Sequence, residues 1–197
     1  MKSKYFVAYL LTGAARAYHE RLTRELASRY RIFPLHERVS PHITIKPPFE
    51  TDDEGIEEVE RVVRAFARTE PPQPLLIRGF GGFGFRTIYL DVDKSTGAVA
   101  LVRRLIKTLN TNIPFLPKYP LEGNKLHASV ARFLDRKQYR RIKRFIEDEK
   151  PRFDMELDSI AILKKTGRSW QVVTAVPLKR EAPAWSRSEH VLSDAAV

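Results

Sequence analysis

Two short stretches, far apart in the sequence, carry residue types suited to acid–base chemistry. Each has a histidine followed two positions later by a hydroxyl residue: His42 with Thr44, and His127 with Ser129. In a strand, residues two apart point to the same face, so each histidine projects together with its hydroxyl partner. An imidazole can act as general acid or general base, and hydroxyls can hold phosphate oxygens on which charge accumulates. If both stretches face one cleft, the set suits transfer at phosphorus through a 2',3'-cyclic phosphate, with no metal and no cofactor.

Two cations close to these stretches are candidates for substrate binding. Lys46 lies two residues beyond Thr44, and Arg132 is its rough counterpart after Ser129. A cation on the cleft face can neutralise a substrate phosphate, so we expect both side chains to contribute there. The alternative for each is a solvated charge on the rim.

Other motifs are weaker. The segment Gly79–Gly84 matches G-x-G-x-x-G, but that fingerprint must open a helix, and here a strand is predicted to follow. His42 and His127 lack the neighbouring histidine or carboxylate partners of a zinc site, so no metal site is predicted. The remaining histidines fit surface or core roles: His19, His36 and His190.

Composition bounds the class of protein. The chain has 197 residues, 35 Lys plus Arg against 24 Asp plus Glu, a net charge of +11 and no cysteine. The absence of cysteine excludes a disulfide scaffold, a thiolate metal site and a cysteine nucleophile. The positive charge favours a polyanionic partner such as nucleic acid, and the basic run 136–144 is a candidate extension of that surface. The apolar run Tyr5–Leu11 is too short to span a bilayer, and at the lower limit for a signal peptide, so we expect a cytoplasmic protein with no membrane partner. We also expect a monomer.

Hydrophobic periodicity predicts an alternation of strands and helices. The predicted strands are 4–11, 42–46, 75–80, 86–92, 126–133, 153–163 and 170–176, and the predicted helices are 14–30, 52–69, 95–109 and 135–150. The order of elements repeats, with corresponding features 82 to 85 positions apart. This duplication predicts one bilobal domain over 1–177, with halves 4–84 and 85–177 and a C-terminal tail over 178–197.

The doubled pattern resembles the 2H phosphoesterase superfamily and, within it, the 2'-5' RNA ligase-like proteins, also described as RNA 2',3'-cyclic phosphodiesterases. The tetrads His-Ile-Thr-Ile at 42–45 and His-Ala-Ser-Val at 127–130 match the family motif, and Ala131-Arg132 follows the second. The resemblance implies a bilobal α+β fold with small, mainly antiparallel sheets and a cleft between the lobes. It implies hydrolysis of a 2',3'-cyclic phosphate to a 2'-phosphate, or joining through 2'-5' linkages, on RNA or a nucleotide. By the same analogy His127 would activate water and His42 would protonate the leaving oxygen.

Two other functions fit the same residues. One is a non-catalytic RNA-binding protein of the same fold, and the other is a phosphodiesterase acting on a small cyclic nucleotide. The sequence alone does not assign the acid and the base between the two histidines.

Overall fold

A computed structural model describes residues 1–119, 123 and 125–180. Within these ranges the chain forms eight strands, four α-helices and a short 3-10 helix at Leu35–Glu37. The strands are β1 (Ser3–Leu10), β2 (His42–Thr51), β3 (Gln73–Phe83), β4 (Thr87–Val92), β5 (His127–Arg132), β6 (Arg152–Leu157), β7 (Ser159–Thr166) and β8 (Ser169–Pro177). The α-helices are α1 (Gly13–Tyr30), α2 (Asp53–Ala67), α3 (Gly97–Asn112) and α4 (Arg136–Phe145).

The strands form two four-stranded antiparallel sheets with equivalent layouts. Their orders are β2-β1-β7-β8 and β5-β4-β3-β6. In each sheet a histidine-bearing strand, β2 or β5, occupies the edge and pairs with the strand that precedes it along the chain, β1 or β4. This arrangement confirms the predicted α+β fold with two similar lobes.

The two sheets do not separate at the midpoint of the sequence. β3 comes from the first half but pairs with β4 and β6, whereas β7 comes from the second half and pairs with β1. The predicted single strand 153–163 is therefore wrong, because the chain changes sheet at Asp158, between β6 and β7. Both parts are extended and partly apolar, and such a pattern carries no sign of which neighbour each part pairs with.

Two strands are longer than the sequence pattern predicts. β2 continues through Pro47 and Pro48 to Thr51, which an edge strand tolerates because one side of it needs no ladder hydrogen bonds. β3 continues through the glycine-rich segment, where a Cβ at Gly81 would lie 2.3 Å from the ring of Tyr89. The glycine therefore lets that tyrosine pack across the strand pair. A strand and a hairpin here, rather than a helix, agree with the rejection of the dinucleotide fingerprint.

The helices cover the sheets and begin largely where capping residues predict. Asp52 accepts a hydrogen bond from the Gly55 amide at 3.1 Å, and Asp135 forms a capping box with Gln138 at the start of α4. Most buried apolar residues form one continuous core, and a smaller cluster that includes Phe6 lies on the opposite face of β1. The first residues of the predicted tail pack on this fold, since Leu178 is buried and donates its amide hydrogen to the Asp158 carbonyl. The remainder, 181–197, lies outside the described residues.

Candidate active site

Both histidine motifs line one cleft between the lobes. The cleft has a volume of about 480 Å³ and is bordered by His42, Thr44, His127, Ser129 and Arg132. The first two side chains stand on the edge strand β2 and the other three on the edge strand β5. The catalytic set predicted from the sequence is therefore brought together, because equivalent edges of two sheets face each other.

The two imidazole rings are held by equivalent hydrogen bonds. His42 donates Nδ1–H to the Ser40 carbonyl at 2.8 Å, and His127 donates Nδ1–H to the Lys125 carbonyl at 3.0 Å. This fixes the tautomer, so Nε2 of each neutral ring carries the lone pair. Over the described part of the chain neither Nε2 has a protein hydrogen-bond partner. Each ring therefore presents to the cleft a nitrogen that can accept or, once protonated, donate a proton.

Aromatic rings pack beside both imidazoles. Phe6 lies 5.1 Å from the His42 ring, and Tyr89 lies 4.9 Å from the His127 ring, measured between centroids. Phe83 meets His127 edge-on at 4.8 Å. These contacts restrict ring rotation, so the orientation set by the Nδ1 hydrogen bonds is retained.

The site favours neutral histidines before substrate binds. Burial lowers the pKa of His42 to about 4, opposed by the hydrogen bond to Ser40 and reinforced by nearby charges, including Arg132. Burial also lowers the pKa of His127, again opposed by its backbone hydrogen bond and reinforced by Arg132. A bound phosphate would add negative charge beside both rings, which raises the pKa of an imidazole.

Matching bulges decide which later residues face the cleft. Val7 pairs with Lys46 and Ala8 with Thr44, so Ile45 is an extra residue in β2. Likewise Ile88 pairs with Ala131 and Tyr89 with Ser129, which leaves Val130 as the extra residue in β5. A bulge shifts the alternation of side chains by one position. The side chain four residues after each histidine therefore points into the core, and the side chain five residues after it faces the cleft.

This geometry places Arg132 in the cleft and removes Lys46 from it. Lys46 is fully buried and donates from Nζ to the Asn110 side chain at 2.7 Å and to the Pro117 carbonyl at 2.6 Å. The expectation that Lys46 lines the cleft is wrong, because simple alternation along β2 breaks at Ile45. The structural counterpart of Arg132 is Pro47, which also borders the cleft.

Phe133 holds an unusual backbone conformation at the mouth of the cleft. Its φ is 60°, in the left-handed region that a bulky residue seldom occupies. The ring is 59% exposed, meets Phe33 edge-on at 5.2 Å between centroids, and has the Arg132 guanidinium 5.1 Å from its centroid. Strain of this kind is typical of functional sites.

Sequence reasoning missed several residues of the site. Arg38, Lys165 and Trp170 border the cleft but lie outside both motifs. Lys165 and Trp170 face each other across the β7–β8 pair, and the Trp170 amide donates to the Arg38 carbonyl, so these positions depend on long-range pairing.

His19, which fitted a surface or core role, is buried, and its Nε2–H donates to the Ser129 carbonyl at 2.8 Å. That hydrogen bond ties α1 to the second motif, and burial lowers the pKa of His19 to about 4. Helical spacing places His19 on the same face as Ala15, Leu22 and Leu26, but the sequence does not indicate which group it contacts.

The described ranges lack the features of two other classes of protein. Residues 1–119, 123 and 125–180 contain no cluster of three or more metal-ligating side chains of the His, Cys, Asp and Glu types. None of the helices described is long and apolar enough to cross a membrane.

A bilobal fold that brings two His-x-Thr/Ser motifs to one cleft is the arrangement that the resemblance to the 2H phosphoesterases implies. Comparison with known proteins agrees: residues 13–169 match the family model of the 2'-5' RNA ligase superfamily. The chain belongs to that superfamily, as the resemblance of its motifs predicted.

Two similar proteins carry the name of a phosphoesterase. The chain is 27% identical over 148 residues to a "Putative phosphoesterase" of Geobacillus kaustophilus, covering 74% of this chain and 79% of the relative. A second protein of that name, from Geobacillus sp. strain WCH70, is 25% identical over 175 residues and is matched over 92% of its length, with 86% of this chain covered.

The fold is similar to that of Escherichia coli LigT complexed with 3'-AMP, with a TM-score of 0.59, 10% identity and coverage of 91% of this chain and 99% of LigT. The protein TT0787 of Thermus thermophilus gives a TM-score of 0.55 at 16% identity, covering 91% of this chain and 100% of that chain.

Proposed function

We propose that this protein is a metal-independent phosphodiesterase that hydrolyses the 2',3'-cyclic phosphate at RNA ends to a 2'-phosphate, and that it can join RNA through 2'-5' linkages when a 5'-hydroxyl replaces water. The observation that carries this proposal is the pair of equivalently held imidazoles, His42 and His127, with both Nε2 atoms open to one cleft. The solved structures of the similar LigT include complexes with ATP and 3'-AMP, which fits a nucleotide ligand.

The proposed reaction needs one proton acceptor and one proton donor. In our assignment His127 Nε2 takes a proton from water, and the water oxygen attacks phosphorus. The bond from phosphorus to the 3' oxygen breaks, and His42 Nε2 gives its proton to that leaving oxygen. Charge that builds on the nonbridging oxygens is stabilised by the hydroxyls of Thr44 and Ser129 and by the Arg132 guanidinium.

Substrate binding also supplies the protonation state that this reaction requires. Both histidines favour the neutral form in the free protein, whereas the acid must enter as histidinium. The anionic phosphate neutralises Arg132 and raises the pKa of both rings, so the protonated acid is stabilised only when substrate is bound.

The test uses RNA ending in a 2',3'-cyclic phosphate, with EDTA present. We expect wild-type turnover to a 2'-phosphate, and a loss of about 10²–10⁴-fold in kcat in His42→Asn or His127→Asn, since asparagine retains a hydrogen-bond donor near Nδ1 but no titratable nitrogen. His36→Asn, outside the cleft, is the matched control. RNA binding without turnover in the wild type would indicate a non-catalytic RNA-binding protein. Turnover of small cyclic nucleotides but not of RNA would indicate a phosphodiesterase for small cyclic nucleotides.

A further inference from the structure

Helix α4 differs from α1 and α2 in the way its charges are arranged. Its ten residues include six cations and no acid, and all six side chains are exposed: Arg136, Lys137, Arg140, Arg141, Lys143 and Arg144. In α1 and α2, by contrast, arginines pair with glutamates one turn away, as in Arg16–Glu20 at 2.8 Å and Arg64–Glu60 at 3.4 Å. Among the residues that the structure describes, none of the six α4 cations lies within 4.0 Å of a carboxylate.

This arrangement of charges destabilises α4 in the isolated protein. Arg136, Arg140 and Arg144 follow one another at i,i+4 spacing, and like charges at that spacing destabilise a helix. The capping box at Asp135 and the burial of Ile142 keep the helix in place. Repulsion of this kind is relieved when a polyanion binds along the helix.

A groove beside α4 combines these cations with aromatic rings. It has a volume of about 610 Å³ and is lined by Arg140, Lys143 and Arg144 together with Phe80, Phe85 and Tyr139. Phe85 is 43% exposed, meets Tyr139 edge-on at 5.5 Å, and has the Arg136 guanidinium 5.0 Å from its ring centroid. Aromatic faces on which bases can stack, next to cations that follow the phosphates, are the mark of single-strand nucleic-acid binding.

The groove and the candidate active site share none of their described lining residues, but they lie next to each other along the chain at the end of the β3–β4 hairpin. Phe83 borders the cleft and Phe85, two residues further on, borders the groove, so the two lie within about 7 Å along the backbone. On the other wall Phe133 borders the cleft, and α4 begins three residues later. Glu147 and Glu149, which follow the C-terminus of α4, also line the groove.

We propose that the α4 groove binds the single strand of RNA whose cyclic phosphate end occupies the cleft, so that the preferred substrate is an oligonucleotide rather than a mononucleotide. The proposal rests on the function proposed above. It concerns the RNA strand that leads to the cyclic phosphate, which the residues of the cleft do not contact. α4 spans about 15 Å, which accommodates several phosphates of an extended strand.

The test compares two substrates that share the same reacting group. One is an RNA oligonucleotide with a 2',3'-cyclic phosphate end, and the other is a nucleoside 2',3'-cyclic phosphate. In Arg140→Gln/Lys143→Gln/Arg144→Gln, we expect KM for the oligonucleotide to rise at least about tenfold and the slope of log binding constant against log salt to become shallower by about 2. We expect kcat/KM for the mononucleotide to stay unchanged. Phe85→Leu should weaken oligonucleotide binding without altering the salt slope.

Two controls separate the groove from overall charge. Lys94→Gln/Arg103→Gln/Lys107→Gln removes the same charge from exposed positions on and before α3, and should leave both substrates unaffected. Arg140→Lys/Lys143→Arg/Arg144→Lys keeps the charge and should retain the oligonucleotide KM. Equal losses on both substrates, equal losses in the α3 variant, or an unchanged oligonucleotide KM would overturn the proposal. If the wild type turns over neither substrate, the function proposed above fails, and oligonucleotide binding by fluorescence anisotropy still decides whether the α4 groove binds RNA.

Discussion

His42 and His127 are held in the same way: in each, Nδ1–H donates to the carbonyl of the residue two positions earlier. The equivalence extends to the neighbouring backbone, since a bulge follows each histidine at the third position, at Ile45 and Val130. The duplication visible in the element order therefore reaches the level of individual hydrogen bonds. It presents two chemically similar nitrogens to one cleft, while the residues around them differ.

The pH dependence of catalysis should be displaced to the acid side. The value of kcat/KM reports the free enzyme, in which burial lowers the pKa of both histidines below 6.5. Because the reaction needs one histidinium, kcat/KM should fall about tenfold per pH unit above pH 6.5. Arg132→Gln removes a charge that lowers the pKa of both histidines, so in this variant kcat/KM should begin to fall at a higher pH. A wild-type plateau extending to pH 8 would contradict this expectation.

His19 should make the fold acid-sensitive. Its folded-state pKa of about 4 lies below the ordinary value of 6.5, so folding favours the neutral ring, by about 3 kcal/mol. This contribution is present in full above pH 6.5 and is lost as the pH falls toward 4. His19→Gln can keep the hydrogen bond to the Ser129 carbonyl without titrating. Urea unfolding from pH 7 to pH 4 should therefore lose less stability in the variant, and an identical loss in both proteins would exclude this role.

Substitutions of Lys46 and Arg132 should affect different properties, stability for Lys46 and catalysis for Arg132, although the two residues lie at similar distances from the two motifs. Lys46→Met removes donors to Asn110 and Pro117 in the interior, so the free energy of unfolding should fall by about 1–3 kcal/mol. The kcat of the folded variant should remain near wild type because the side chain lies outside the cleft. Arg132→Gln should show the opposite pattern, with stability little changed and kcat/KM reduced. Steady-state kinetics and urea titrations of both variants measure the two effects, and a large loss of kcat in Lys46→Met would refute the placement.

Phe133 should reveal its backbone strain by comparison of two truncations. Phe133→Gly and Phe133→Ala both remove the ring and its contact with Phe33, but only glycine adopts a φ of 60° without a steric penalty. The glycine variant should therefore be more stable than the alanine variant by about 1 kcal/mol, the reverse of the usual order. Thermal or urea unfolding of the pair measures the difference, and a more stable alanine variant would show that the strain is absent.

The sequence by itself determined the order of elements as far as α4, the α+β class, the helix starts at Asp52 and Asp135 and the candidate site residues His42, Thr44, His127 and Ser129. Each of these depends on local rules: periodicity, capping chemistry and the projection of residues two apart on a strand.

Only the tertiary structure decided the rest. The exchange of strands between sheets at Asp158, the inward turn of Lys46, the cleft position of Arg132 and the hydrogen bond from His19 to the Ser129 carbonyl all depend on pairing between distant segments. A bulge is a mismatch between two strands, so neither strand carries it alone, and the side chain that follows a bulge can be placed only after its partner is known.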